Sequence, residues 1–412
     1  MKIINNYRGL PKSIYFLFVV QVINCLGNFV FPFLSLLLTQ KLKFSTSLTG
    51  TIVMVASVVG VPASFLGGRI ADKISRKLTY ILGQSLAAVA IMVCGFIRVP
   101  ELIVILLIAS AFFNGFVRPS ISAIVADLLP PSKRQMGSSL LYLGINFGVA
   151  IGPVVAGFLF NNYISLLFIL DAVTSFIAVF IVIVFVKDTK PIKHKGEDNI
   201  EEKDEEGNLI QILLKRPFVV AFFGIDMIYS LVYRQCSFSM PITMNSIFGN
   251  SGSSKYGFLM SVNAITVVVL TVFVMHLTKK FKTLSNMALS GAFYALGLGM
   301  ISVIGNNYFL FILSTVIWSI GEILGATNTG VYISNNSPRN CRARFGAVGE
   351  LIASLGGAIG IFISGKVIDS FGVNTTWIIV FVLSLLGAAF MLILQSVQKR
   401  YINLKIGQNK EV

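Results

Sequence analysis

The sequence predicts an all-α membrane protein, with twelve transmembrane helices in two pseudo-symmetric six-helix bundles. Three observations carry this. Hydrophobic residues fill 55% of the 412 positions and charged residues only 12%, against about 25% charged in a soluble domain. Apolar runs recur along nearly the whole chain at the length of about 20 residues that a hydrocarbon core about 30 Å thick requires of a helix. The second half also repeats the punctuation of the first at a fixed offset.

In order, the runs fall at roughly 13–37, 47–67, 78–97, 102–124, 138–160, 163–186, 217–245, 255–277, 285–304, 308–332, 345–367 and 375–397. The first is flanked by Lys2, Arg8 and Lys12. It is longer than a signal-peptide core and no small-residue cleavage site follows it, so it is expected to stay as span one. The long polar stretch at 187–216, "KDTKPIKHKGEDNIEEKDEEGNLIQILLKR", divides the chain into an N-terminal bundle (1–186), a cytoplasmic linker, a C-terminal bundle (217–398) and a cytoplasmic tail (399–412). The linker's mixed charge suits a solvated connector, and "NLIQILLK" within it suits a short interfacial helix.

Lys and Arg number 33 against 17 acids, a net charge of +16. In a soluble chain that excess would suggest nucleic acid, but here position explains it. With the N-terminus inside, the outer loops hold Lys41, Lys43, Arg98, Lys255 and Lys366, Arg118 and Arg234 lie within spans, and the rest fall inside. A multi-pass protein of the cell membrane is expected, monomeric, with both termini cytoplasmic and no nucleic-acid partner. The four cysteines (Cys25, Cys94, Cys236, Cys341) are far apart, and the two histidines are His194 and His276. No zinc or disulfide spacing is present, so neither a metal site nor a cofactor is expected. "GIFISGKV" at 360–367 nearly spells a phosphate loop, but it ends in Val367 and lies in an apolar helix with no preceding strand. With no Ser-His-Asp or paired-Cys arrangement in the spans either, an enzyme is not expected.

An offset of 208 superimposes Pro130 on Pro338, Arg134 on Arg342, Gly148 on Gly356, Gly152 on Gly360 and Gly157 on Gly365, and Pro32 agrees with Pro241 within a residue. A parallel repeat of six helices about an axis along the membrane normal puts a cavity at the midplane, which rocking can open to either side. That geometry suits a transporter.

Between spans two and three, "GGRIADKISRK" sets Gly68, Asp72, Lys73, Arg76 and Lys77 as G-x-x-x-D-K-x-x-R-K. This resembles the loop signature of the major facilitator superfamily, with Ser75 where the family usually has glycine. The resemblance, which covers about the whole chain, implies that Asp72 faces the N-terminal end of span eleven. It also implies that Arg76 reaches an acid at the end of span four, here Asp127, so that these residues latch the halves on the inner side. From spacing alone, Asp72 and Arg76 can pair on one helical face, and the charges could equally serve only to anchor topology. Span five, "GINFGVAIGPVVAGF", carries Gly144, Gly148, Gly152, Pro153 and Gly157 on one face, a column that admits close packing. It resembles the span-five motif of the family's exporters, with Ala156 in place of one glycine.

Ionisable groups deep in a bilayer cost about 3 kcal/mol on insertion scales, so each is a functional candidate. The proton-coupling candidates are Glu322 foremost, near mid-depth in "WSIGEILG", then Asp171, Asp226 and Glu350. Burial disfavours the ionised form of a carboxyl, so one site can alternate between proton and substrate. The repeat pairs Glu322 with Asn114, four residues before Arg118. Asn24, Asn28, Asn114, Arg118, Tyr229, Tyr233, Gln235 and Phe238 are the substrate-binding candidates, on the expectation that spans one and seven face the cavity as in the family. The chain lacks the exporter pattern's arginine, having Ala111 at that position. The function expected is secondary transport by alternating access, most simply proton-coupled export of small amphipathic compounds. Proton-coupled nutrient uptake and a non-transporting receptor are the alternatives.

Overall fold

The computed structural model describes residues 9–188, 209–338 and 341–408. Most of the predicted linker, with His194, lies outside them, as do Lys2, Arg8 and the end of the tail. Among the described residues all regular structure is helical. Eleven stretches are long and apolar enough to cross a membrane, and the longest, Pro217–Thr278, turns at Gly249–Ser251 into two spans, which makes twelve. Of the linker, Leu209–Leu214 is a short helix. The last helix, Val373–Gln408, runs on into the predicted tail.

Proline decides where spans break. In span one the helix Lys12–Gly27 stops and the chain resumes as a 3₁₀ turn at Phe31–Phe33. Pro32 has no N–H to give, and its ring opposes the carbonyl of residue 28. Span seven does the same: Pro217–Tyr233 gives way to a 3₁₀ turn at Arg234–Cys236 before Ser239–Phe248, and Pro241 stands four residues after Ser237. Span four divides into Pro100–Asn114 and Val117–Leu128, with Pro119 four residues after Gly115. Pro62 and Pro153, by contrast, lie in helices that run through them, Thr46–Lys73 and Pro131–Asn162.

The glycine columns show what the repeat is for. A Cβ on Gly148 would come within 2.6 Å of Val22 O, and one on Gly152 within 2.6 Å of Leu26 O, so span five lies backbone to backbone against span one. In the second half a Cβ on Gly356 would come within 2.6 Å of Met227 O, and one on Gly360 within 3.1 Å of Leu231 O. Span eleven therefore packs on span seven through the same pair of repeat positions. Close approach without side chains lets dispersion hold helices together where no hydrophobic effect can.

The chain forms two compact units, one of Met1–Glu197 with Met240–Ile265, the other of Asp198–Ser239 with Thr266–Val412. In the first, Ile14, Leu17, Val20, Tyr80, Ile124 and Val182 centre the core. The segment 240–265 joins this unit because a Cβ on Gly157 would meet Ser253 O at 2.6 Å, one on Gly257 would collide with Pro153 O, and Phe33 meets Tyr256 edge to face at 5.1 Å. In the second, Val267, Val274, Ile323 and Leu324 pack together. Large apolar side chains such as Phe65, Phe158, Phe180, Val272 and Phe309 are exposed, as lipid-facing residues must be.

The 67–77 hinge ends one helix and starts another. Ser75 is extended (φ −169°) and caps Arg76–Cys94 by accepting from Leu78 N. Its hydroxyl donates to Asp188 Oδ1 at 2.7 Å, and Lys77 Nζ donates to the carbonyls of Ile183 and Val186 at 2.7 and 2.8 Å. The lysine thus sits on the carbonyl end of span six, where the helix dipole favours a cation.

Candidate functional site

Each unit holds a cavity of about 370 Å³ along its spans, with several polar side chains in a largely apolar lining. The first is walled by spans one, three, four and six, the second by spans seven, nine and ten. The predicted repeat pair is divided between them: Asn114 lines the first and Glu322 the second.

In the second cavity Tyr233 Oη donates to Glu322 Oε1 at 2.8 Å. Tyr294 and Trp318 stand around the Tyr233 ring, with centroids at 6.3 and 6.2 Å. Asp226 lines the same wall and accepts from Thr329 Oγ1 at 3.4 Å. Tyr229 also lines it, but its hydroxyl donates to Met287 O at 2.9 Å, and its ring lies where a Cβ on Gly291 or Gly387 would fall. Tyr229 therefore packs against span nine as well as lining the cavity.

Gln235 and Phe238 are not in that lining. Both are buried, at 0% and 1% exposure. Gln235 bonds Leu231 O and Ser239 Oγ, because the 3₁₀ turn at Arg234–Cys236 rotates the helix phase and carries these side chains into the core. Glu350 and Arg118 are exposed and line neither cavity, though each has interactions within the protein.

In the first cavity Asn24 and Asn28 flank the break in span one, with Gln84, Ser110 and Ser175 across from them. Asp171, on span six, reaches the break itself. Its Oδ2 accepts from Phe29 N at 2.9 Å and Val30 N at 3.0 Å; Phe29 N also reaches Gly27 O at 2.8 Å, so Val30 N is the donor for which the carboxylate replaces a missing helical partner. Thr174, one turn on, occupies the space a Cβ at Gly27 would need. The sequence carries no sign of this grip, since 142 residues separate Asp171 from Phe29.

Of the hinge residues, Arg76 Nε lies 3.1 Å from Asp127 Oδ2 and Arg76 Nη2 3.3 Å from Asp72 Oδ1, with the Asp72 side chain 70% exposed. Gly68 leaves room at van der Waals distance from Pro119, and Lys73 is exposed.

A third cavity, of about 440 Å³, lies at the ends of spans nine, ten and twelve among Lys282, Asn336, Gln398 and Lys399. Among the described residues no carboxylate lines it.

The family model of the Major Facilitator Superfamily matches residues 17–280 and 236–410. The chain belongs to this superfamily. It is 24% identical over 402 residues to the multidrug resistance protein MdtH of Blochmanniella floridana, covering 96% of each chain. To the Na(+), Li(+), K(+)/H(+) antiporter of Planococcus maritimus it is 22% identical over 381 residues, covering 85% of this chain and 88% of that one. Among solved structures, that of the nucleoside transporter NupG shares the fold, with a TM-score of 0.74 and 16% identity over 93% of this chain and 99% of that one. The protein is a multi-pass membrane transporter of small molecules and not an enzyme.

Proposed function

We propose that this transporter exports small amphipathic compounds in exchange for protons, by alternating access in the plasma membrane with both termini cytoplasmic, and that Glu322 carries the proton. The observation that supports this most is the bond from Tyr233 Oη to Glu322 Oε1 at 2.8 Å inside a cavity with aromatic walls. A carboxylate at this depth costs about 3 kcal/mol, a cost relieved when the group takes up a proton or meets a cationic partner. Tyr233 and Tyr294 offer flat apolar faces with polar tips, which suit ligands that are apolar with one polar end. Asp226 supplies a second acid on the same wall. The multidrug and antiporter names of two full-length relatives fit the same reading.

The test is ethidium accumulation in inverted vesicles driven by an imposed proton gradient. Wild type is expected to accumulate the dye, and Glu322→Gln, which keeps an oxygen for Tyr233, to lose gradient-driven accumulation while binding dye at equilibrium. Gradient-driven accumulation at the wild-type rate in Glu322→Gln would sink the assignment.

A further inference from the structure

The cavity of the first unit has a chemistry of its own. Asp171, only 8% exposed, is the one charged residue in its lining among the described residues, and no lysine, arginine or histidine of theirs lines it. Both hydrogen bonds to its carboxylate fall on Oδ2, so the cap on span one uses one oxygen. Oδ1 accepts nothing from the described residues.

The neutral groups that share the lining also have oxygens to spare. Ser110 is fully buried and its Oγ has no partner among the described residues, and Asn24 Oδ1 is buried without one. Asn24 directs its amide nitrogen to Tyr80 Oη at 3.0 Å, and Gln84 directs its own to Ser175 Oγ at 2.9 Å, which leaves the carbonyl oxygens of both side chains uncommitted. A buried acceptor without a donor costs about 1–3 kcal/mol. The cap accounts for one oxygen of Asp171 and for none of these.

Carboxylate, carboxamide and hydroxyl oxygens suit a hard cation, and the single carboxylate of this lining balances one positive charge. The cavity also lies at the C-terminal end of the half-helix Lys12–Gly27, whose dipole adds to the attraction. We propose that this cavity binds a univalent cation, with Asp171 supplying the charge and Asn24, Gln84 and Ser110 the neutral oxygens. An alkali-metal ion and the ammonium head of an organic substrate share this chemistry. The proposal goes beyond the reading of Glu322, which lies in the other unit, and binding can be measured without turnover, so the two can fail separately.

Purified full-length protein in lipid nanodiscs is tested by scintillation proximity with radioactive sodium and, in parallel, with radioactive methylammonium. Saturable binding of at least one is expected. Sodium binding displaced by lithium or potassium identifies a metal ion, and binding of methylammonium alone identifies a substrate head group. Asp171→Asn keeps an oxygen for Phe29 N and Val30 N while removing the charge, and should weaken binding tenfold or more, about 1.4 kcal/mol for each factor of ten. Ser110→Ala leaves the cap untouched and should weaken it by a smaller factor. Failure of the wild type to bind either cation, or unchanged affinity in both variants, overturns the proposal.

Discussion

Arg76 Nε lies 3.1 Å from Asp127 Oδ2, with the two side chains 9% and 15% exposed, so the start of span three is pinned to the end of span four by a charge pair largely out of water. Removing one partner strands the other, which costs about 1–3 kcal/mol for a buried polar group. Asp127→Asn should lower the thermal midpoint measured on detergent-solubilised protein. The double change Arg76→Met with Asp127→Leu should recover much of the loss, because an apolar pair of similar volume often replaces a buried ion pair at little cost.

Asp72 gives the opposite expectation. Its side chain is 70% exposed and makes an i,i+4 contact with Arg76, a kind of pair worth about 0.3–0.5 kcal/mol. Asp72→Asn should leave the thermal midpoint nearly unchanged. If the hinge fastens a transport state, dye accumulation in vesicles will nonetheless fall severalfold, and equal rates would show the charge to be a topological anchor only.

Glycines of the two columns should be intolerant in matching pairs. A Cβ at Gly148 or Gly356 meets backbone that cannot step aside, and overpacking of this kind costs about 1–3 kcal/mol. Gly346 has nothing within 4 Å of the place a Cβ would take. Thermal scans should therefore find Gly148→Ala and Gly356→Ala destabilised alike and Gly346→Ala unaffected or slightly stabilised, since alanine is the better helix former by about 1 kcal/mol.

Thiol chemistry can report on the first cavity. Cys94, Cys236 and Cys341 are buried, whereas Cys25 is only partly so and lines the space beside Asn24. A small cationic methanethiosulfonate should label wild type at one site, as read by intact-protein mass, and fail to label Cys25→Ser. Labelling that survives in Cys25→Ser would mean that another cysteine is reached first.

Much of this architecture is legible in the sequence, for physical reasons that can be named. Apolar length gives the spans, because a single apolar segment in lipid can satisfy its backbone only as a helix. Pro32 and Pro241, within a residue of matching repeat positions, mark the breaks in spans one and seven, and the shared glycine spacing marks spans five and eleven for close packing without naming the spans they pack on. Contacts that depend on three-dimensional phase leave no such trace. Gln235 and Phe238 lie only a few residues from Tyr233, yet a single 3₁₀ turn sends them into the core. Ser75 reads as a departure from a glycine, and its bond to Asp188 depends on where span six ends. Asp171 resembles a packing residue or a proton carrier, and nothing local to it points to the backbone of residues 29 and 30.

That last contact sets an order of assembly. Span one leaves the ribosome first, yet the acid that satisfies its broken turn arrives with span six, and the matching position in the second half, Ile379, offers no such group. Until then the amide of Val30 would lack a partner in hydrocarbon, at a cost of several kcal/mol, while that of Phe29 keeps Gly27 O. Span one is therefore expected to reach its final seat only when the sixth helix brings Asp171 to it.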